Sequence, residues 1–260
     1  MVLLLKKKLR NTANHLFPLL AVALILLVWE ELVKFCNVPE WILPGPLQIW
    51  HTLVETWSLM LVHARATVIE SLLGFSLAII MALIITFVMN EISLVRKALY
   101  PIIITSQTIP IVSVAPLFVI WFGYDLLPKI IVVALVCFFP IAISLLNGMA
   151  AVDRDYLQLF KSMQSSRWNT FRLVTFPLAM PSFFAGLKIS AAYSVMGAVI
   201  GEWLGAKEGL GYYMTLAQHS FNVDRVFAAI VLITIFSMLL FVLVSITEKL
   251  VIPWNDKFIN

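Results

Sequence analysis

Apolar residues in this chain gather into six long, nearly uncharged runs, at 16–36, 67–89, 98–122, 129–148, 183–204 and 224–247. Each is close to the ~20 residues that an α-helix needs to cross about 30 Å of hydrocarbon, so the pattern predicts six membrane helices. Between the first two runs, Val38 to His63 carries Pro39, Pro44 and Pro46 with Trp41, Trp50 and Trp57. That composition predicts an outer-face loop followed by an interfacial helix, because tryptophan settles where one edge is apolar and the other wet; Trp121 and Trp203 fit the same rule. The longest polar stretch, Asn147 to Pro181, holds Asp153, Arg154, Asp155, Lys161, Arg167 and Arg172. A connection of that length inside a compact membrane domain is usually functional.

Composition agrees with the pattern. Of 260 residues 62% are apolar and 12% are charged, about half the usual charged share, and the mean hydropathy is +0.98. A water-soluble globule is excluded. The net charge of +4 comes from cations scattered through connecting segments, which argues against a nucleic-acid surface. Lys6, Lys7, Lys8 and Arg10 precede the first run as in a signal peptide, but Trp29-Glu30-Glu31 stands where a small-residue cleavage site belongs, so a retained anchor is expected. With the N-terminus inside, thirteen of the eighteen cations, among them Arg96, Lys97, Arg154, Lys161, Arg167, Arg172, Lys188, Lys249 and Lys257, fall on the cytoplasmic side. Both termini are therefore expected in the cytoplasm. The expected division is a tail over 1–15, a six-helix transmembrane domain over 16–250 with a polar loop at 149–182, and a tail over 251–260. Cys36 and Cys137 lack any paired spacing and read as small apolar fillers.

No catalytic set emerges. His15, His51, His63 and His219 have no ligand-like spacing, so no metal site is expected, and without G-x4-G-K-[ST] the chain should not bind and hydrolyse ATP by itself, so any energy comes from a partner or a gradient. Polar residues inside the runs are the better candidates, because each is costly in lipid. Ser106, Gln107, Pro110 and Ser113 fall on one face of a continuous helix, while Pro101, Pro110 and Pro116 interrupt its hydrogen bonds; a lining role and a merely kinked helix are both compatible with this. Gly186, Ser190, Ser194, Gly197, Gly201 and Gly205 form a small-residue stripe suited to close helix packing, with Tyr193 beside it. Glu202, followed by Lys207, Glu208 and Gly209-Leu210-Gly211, is expected near the outer end of its helix as a gate or docking residue, or as a carboxylate reaching interfacial water. No carboxylate or lysine is read deep within a run, and no internal inverted repeat, which argues against a gradient-driven carrier.

In the long loop, Asp155-Tyr-Leu-Gln-Leu-Phe-Lys-Ser-Met-Gln-Ser-Ser-Arg-Trp-Asn-Thr-Phe-Arg-Leu-Val-Thr-Phe-Pro177, followed by Pro181 and Gly186-Leu187, resembles the cytoplasmic "EAA" loop of binding-protein-dependent ABC importer permeases. The pattern E-A-A-x3-G-x9-I-x-L-P falls on Gln158, Leu159, Phe160, Gln164, Val174, Phe176 and Pro177, with Gln158 in place of Glu, Leu159 and Phe160 in place of Ala, and Gln164 in place of a turn glycine. Leu43-Pro44-Gly45-Pro46, Gly74-Phe75, Ile109-Pro110, Ala115-Pro116, Trp121-Phe122-Gly123, Phe138-Phe139-Pro140 and Gly201-Glu202 extend the likeness over most of the chain. Independently of the resemblance, Asp153 or Asp155 can cap a short helix presenting Leu157, Phe160 and Lys161, and a second helix from about Arg167 should end before Pro177.

The resemblance implies an all-α type I ABC importer permease with six transmembrane helices and a cytoplasmic coupling loop, in a prokaryotic inner membrane. It implies that Leu157, Gln158, Leu159, Phe160, Lys161, Gln164, Arg167 and Trp168 couple to ABC ATPase subunits, which carry ATP and Mg, while this chain carries no cofactor. Ser106, Gln107, Ser113 and Tyr193 are the expected translocation path, and Glu202, Lys207 and Glu208 the expected gate or docking site for an extracytoplasmic solute-binding protein. A second copy of the permease is implied as partner. The segment Ala192 to Gly205 is most similar to pyrimidine (thiamine-precursor) permeases, and the alternatives are nitrate, sulfonate or taurine import.

Overall fold

The computed structural model describes the backbone of residues 2–254 and the side chains of residues 17, 18 and 20–254. The described chain is helical throughout: α1 (Val2–Phe35), α2 (Pro46–Glu55), α3 (Trp57–Glu91), α4 (Ser93–Ser106), α5 (Ile111–Phe122), α6 (Leu126–Ala150), α7 (Arg154–Ser162), α8 (Arg167–Thr170), a π turn (Phe171–Thr175), α9 (Phe176–Glu202), α10 (Leu210–His219) and α11 (Val223–Val251). Among the described residues, α3, α6, the stretch Arg167–Glu202 and α11 are long and apolar enough to cross a membrane, and α4 with α5 makes a fifth span if the pair is taken together. All of the run at 16–36 except Cys36 lies within α1, which is helical from Val2 to Phe35. The side chains of Lys6, Lys7, Lys8, Arg10 and His15, residue Lys257, and the tail expected beyond Trp254 lie outside the described residues.

Two sequence expectations are corrected. The run at 98–122 is not one helix: α4 and α5 are bent by 102° at residues 107–110. Pro110 has no N–H to donate and disfavours helical dihedrals at Ile109, so the chain leaves α4 there and Pro110 serves as N-cap of α5. Ser106, Gln107, Pro110 and Ser113 consequently do not share a helical face. The second correction concerns Pro177, which does not end a helix. The π turn over Phe171–Thr175 precedes it, and Pro177 sits in the first turn of α9, where its missing N–H is least costly. Helical chain therefore runs unbroken from Arg167 to Glu202.

The chain packs as two units, one of residues up to Ser58 with Met214–Ile230, the other of Leu59–Tyr213 with the chain from Val231 onward. In the smaller unit the Glu30 carboxylate of α1 accepts the Leu47 N–H at 3.1 Å, capping α2 just behind Pro46, and pairs with Lys34 at 3.1 Å. Thr52 donates to Asp224 at 2.6 Å, and Trp29 packs on Phe227 with ring centroids 5.7 Å apart.

In the larger unit the core is formed by α3, α6 and α9, with Phe75, Ala78, Val133, Cys137, Ile141, Leu145, Phe183, Leu187 and Ala191 buried together. The small-residue stripe of α9 is what lets it lie against α6. A Cβ on Gly186 would stand 2.7 Å from the Pro140 carbonyl oxygen, inside any tolerable contact. At the same seam the Ser190 hydroxyl donates to the Cys137 carbonyl at 2.8 Å, and the Cys137 thiol donates to the Ser190 carbonyl at 3.3 Å. Close backbones and short cross-helix hydrogen bonds are how helices associate where lipid is as apolar as leucine. Lys188 of α9 and Glu248 of α11 add an ion pair at 2.6 Å.

Candidate functional site

Three places in the larger unit gather chemistry. The first is where α3, α6 and α9 meet the loop before α10. His63, Thr67, Glu70 and Ser71 recur on α3 at helical spacing and are all buried. Glu202, the last residue of α9, is 1% exposed. Its carboxylate accepts the Thr67 hydroxyl at 2.6 Å and the Gly211 N–H at 2.5 Å. The Leu210 N–H donates to the Thr67 oxygen at 2.8 Å, and the Gly209 N–H to Nδ1 of His63 at 3.3 Å, which fixes the acceptor nitrogen of that ring. The N–H groups of 209, 210 and 211, which the start of α10 would leave orphaned, are thus each taken by a side chain from another helix. A buried anion at a helix N-terminus is stabilised by those N–H groups and by the aligned peptide dipoles.

This arrangement explains the Gly209-Leu210-Gly211 motif. Gly209 has φ +121°, and a Cβ there would fall 2.2 Å from the Glu202 carboxyl carbon; one on Gly211 would fall 2.7 Å from the Val199 carbonyl oxygen. The glycines make room for the carboxylate, besides turning the chain. Beside it Lys129 of α6 pairs with Glu70 at 2.6 Å, their side chains 12% and 2% exposed. Glu202 is therefore an internal clasp on the loop, not a carboxylate that reaches water. Glu70 and Lys129 likewise correct the sequence expectation that no carboxylate or lysine lies buried within a membrane run. They escaped notice because both sit in the first turns of their runs, where a charge is ordinarily taken to face water. Lys207 and Glu208 remain exposed on the clasped loop and line a cleft of about 840 Å³ with Arg65, Tyr124, Asp125 and Lys129.

The second place is a cleft of about 500 Å³ at the α4–α5 break. Ser106, Gln107, Pro110, Phe139, Tyr193 and Met196 are among the residues lining it. The bend brings Ser106 and Gln107 together with Tyr193 of α9, as a straight helix would not guarantee, and leaves Ser113 out of the lining. Tyr193 is 46% exposed.

The third place is the polar loop. The Asp153 carboxylate accepts the Asp155 N–H at 3.0 Å and so caps α7, as expected. At the other end Gln164 takes φ +53°, its N–H donating to the Lys161 carbonyl and that of Ser165 to the Phe160 carbonyl, both at 3.0 Å. This is a Schellman closure whose left-handed residue is usually glycine, and holding glutamine there costs about 1 kcal/mol. Leu157 and Phe160, expected to face a partner, are half-buried, whereas Tyr156, Leu159 and Met163 at i, i+3 and i+7 are 53, 55 and 68% exposed. Gln158, Lys161 and Arg167 are exposed as well. Trp168 stacks on Phe171 at 6.0 Å and meets Phe87 of α3 edge-on at 5.8 Å, which ties the end of the loop to α3.

Comparison with known proteins now supplies the family. The profile described as "Binding-protein-dependent transport system inner membrane component" matches residues 74–254, well over half of the chain. The protein belongs to this family. It is 34% identical over 249 residues to the formylaminopyrimidine transport permease protein ThiX of Halalkalibacterium halodurans, covering 95% of this chain and 99% of that one. It is 33% identical over 236 residues to the riboflavin transport system permease protein RibX of Chloroflexus aurantiacus, covering 89% and 87%. In fold it is similar to a chain of a solved amino acid ABC transporter with histidines, at a TM-score of 0.59 and 16% identity, over 77% of this chain and 95% of that one. The protein is accordingly a multi-pass inner-membrane permease subunit of an ABC importer and is not itself catalytic. ATP is bound by a partner ATPase, and membership of a binding-protein-dependent system brings in a solute-binding protein as the other partner.

Proposed function

We propose that this permease imports a pyrimidine precursor of thiamine, as a homodimer of six-helix subunits with both termini in the cytoplasm. The observation that carries the substrate is the 34% identity to a formylaminopyrimidine permease along nearly the full length of both chains. The competing cargo is riboflavin, since its permease is 33% identical. Co-expression with its cognate ATPase and binding protein should give ATP-dependent uptake of labelled formylaminopyrimidine that excess unlabelled riboflavin, taurine or nitrate leaves undiminished. Uptake of riboflavin alone would transfer the assignment to that cargo.

In this reading the exposed face of α7 seats the ATPase, and Leu157 and Phe160 hold α7 to its own chain. Lys207 and Glu208 meet the binding protein from the loop that Glu202 clasps. Ser106, Gln107 and Tyr193 face the path, supported by their common cleft. Single cysteines at these three positions, in a background lacking Cys36 and Cys137, should react with a water-soluble thiol reagent at least about tenfold faster than cysteines at Leu83 or Leu239, as hydrated positions do relative to lipid-facing or packed ones. Equal protection at all five positions would make the cleft a packing defect.

A further inference from the structure

The loop end of the larger unit carries a third cleft, strongly cationic; of its cations Lys161 and Arg167 are also expected in ATPase coupling, whereas Arg96 and Arg154 have no role in coupling or cargo passage. Its volume is about 570 Å³, and its charged lining is Arg96, Arg154, Lys161 and Arg167 against the single carboxylate of Glu91. That carboxylate accepts the Asn90 side-chain amide at 3.2 Å. None of the four cations has an ion-pair partner among the described residues, whose ion pairs are Lys34–Glu30, Lys129–Glu70 and Lys188–Glu248. Asp153 and Asp155 flank Arg154 in the chain, but Asp153 caps α7 and neither lines the cleft. All four are exposed, so solvent screens part of their mutual repulsion, and an anion seated among them would lower it further.

The surroundings specify the anion. The cleft lies where α3 and α6 end, at Glu91 and Ala150, and where spans end is the depth of lipid headgroups. The Phe87–Trp168–Phe171 cluster stands beside it, with Phe87 and Phe171 centroids 5.0 Å apart, and Trp168 in it is a residue type enriched at that depth. On α3, Ile80, Ile84, Phe87 and Glu91 stand at i, i+4, i+7 and i+11, so one helical face leads from the cleft into the hydrocarbon. Ile80 and Ile84 on that face are each 55% exposed. A cationic pocket continued by an exposed apolar track has the shape of a phospholipid: phosphate in the cleft, acyl chain along the helix. Basic pockets between membrane helices are known to hold such headgroups.

We infer that the cleft lined by Arg96, Arg154, Lys161 and Arg167 seats the headgroup of an anionic phospholipid. The inference needs only that the spans cross a bilayer, and it is independent of the cargo. A lipid seated there also braces α7 from behind, since Leu157 and Lys161 belong to the same lining.

Native mass spectrometry of the full-length permease in detergent, titrated with dioleoyl phosphatidylglycerol or dioleoyl phosphatidylethanolamine, tests this. The wild type should retain phosphatidylglycerol over phosphatidylethanolamine by about tenfold or more. Arg96→Gln with Arg167→Gln should bring the two lipids within about twofold, whereas Arg96→Lys with Arg167→Lys should keep most of the preference, because charge near the headgroup is what attracts it. Lys97→Gln with Arg172→Gln, which removes two exposed cations outside the lining, should leave the preference intact. The proposal is overturned if the wild type holds the two lipids alike, or if the control pair loses the preference equally. It is also overturned if millimolar inorganic phosphate displaces the lipid, which would make the cleft a small-anion site. Finally, if the double glutamine variant keeps its lipid but releases the ATPase subunit, the cleft belongs to an acidic surface of that partner and not to lipid.

Discussion

A permease carrying Leu159→Asp together with Met163→Asp is expected to reach the membrane in normal amount and to lose its ATPase subunit in a pull-down, with affinity reduced by about a thousandfold. The estimate takes two central interface anchors at ~2 kcal/mol each. The choice of residues comes from the structure: Leu159 and Met163 are 55 and 68% exposed on α7, and with Tyr156 they form an apolar face that covers nothing in the described chain. Leu157→Asp with Phe160→Asp should behave differently. Those side chains are half-buried, so carboxylates there would have to be desolvated against the chain's own helices, and the pair should lower the stability of the permease as well as its ATPase binding. Retention of the ATPase by the Leu159/Met163 variant at wild-type strength would show that α7 is not the docking element.

The other large effect is expected at Glu202. Replacing it by Leu leaves the Gly211 N–H and the Thr67 hydroxyl without their acceptor in a buried setting, which should cost about 3–5 kcal/mol of stability. Glu202→Gln keeps an amide oxygen for the Gly211 N–H and should cost about 1–2 kcal/mol. Thermal unfolding of the purified permease in detergent, followed by tryptophan fluorescence, measures both. Limited proteolysis should find the loop over 203–209 cut faster in the Leu variant, because the clasp that holds residues 209–211 is gone. Thr67→Val combined with Glu202→Leu should be less damaging than the sum of the two single changes, since both disrupt one hydrogen-bonded unit. A Leu variant that melts within a degree of wild type, with an unchanged digestion pattern, would mean that the carboxylate is not what fixes the loop. If instead stability is lost as expected, binding-protein-stimulated ATP hydrolysis should fall with it, through displacement of Lys207 and Glu208.

The buried charges around Glu202 bear on the alternative of a gradient-driven carrier. Buried carboxylates inside membrane spans are typical of proton-coupled transport, and Glu70 and Glu202 are such carboxylates, with Lys129 paired to Glu70. Their partners tell against that role: Glu70 is held by Lys129, and Glu202 is spent on the amide group at the start of α10. What decides the class is the family match over residues 74–254.

Much of the protein was legible in the chain itself, for definite physical reasons. Long uncharged runs can be solvated only by lipid, and lipid admits only helices with their backbone groups satisfied, so membrane helices follow from composition and run length. That α9 packs closely on a neighbour was readable from Gly186 and Ser190, because small residues at helical spacing in a membrane have few uses besides close approach, but that the neighbour is α6 was not. The Asp153 cap was readable because it is local, a carboxylate two residues ahead of the amide it accepts. The order of motifs along the loop sufficed for the family.

What the tertiary structure alone decided involves partners distant in sequence or backbone states that residue identity does not announce. Whether Pro110 kinks or breaks its helix depends on whether the freed groups find substitutes nearby, and the 102° bend is the outcome. Pro177 stood as a helix stop by the local rule, and a π turn ahead of it carried the helix through. Gln164 marked a turn only by standing where a glycine is usual, and its φ of +53° appears once α7 has closed on Phe160 and Lys161. Which side of α7 is free could not follow from its periodicity, since two apolar faces compete and contacts with the rest of the chain choose between them. Glu202 is the clearest instance: its partner Thr67 lies 135 residues away, and only the folding of α3 against α9 turns a carboxylate that the sequence places at the water's edge into the buried anchor of a loop.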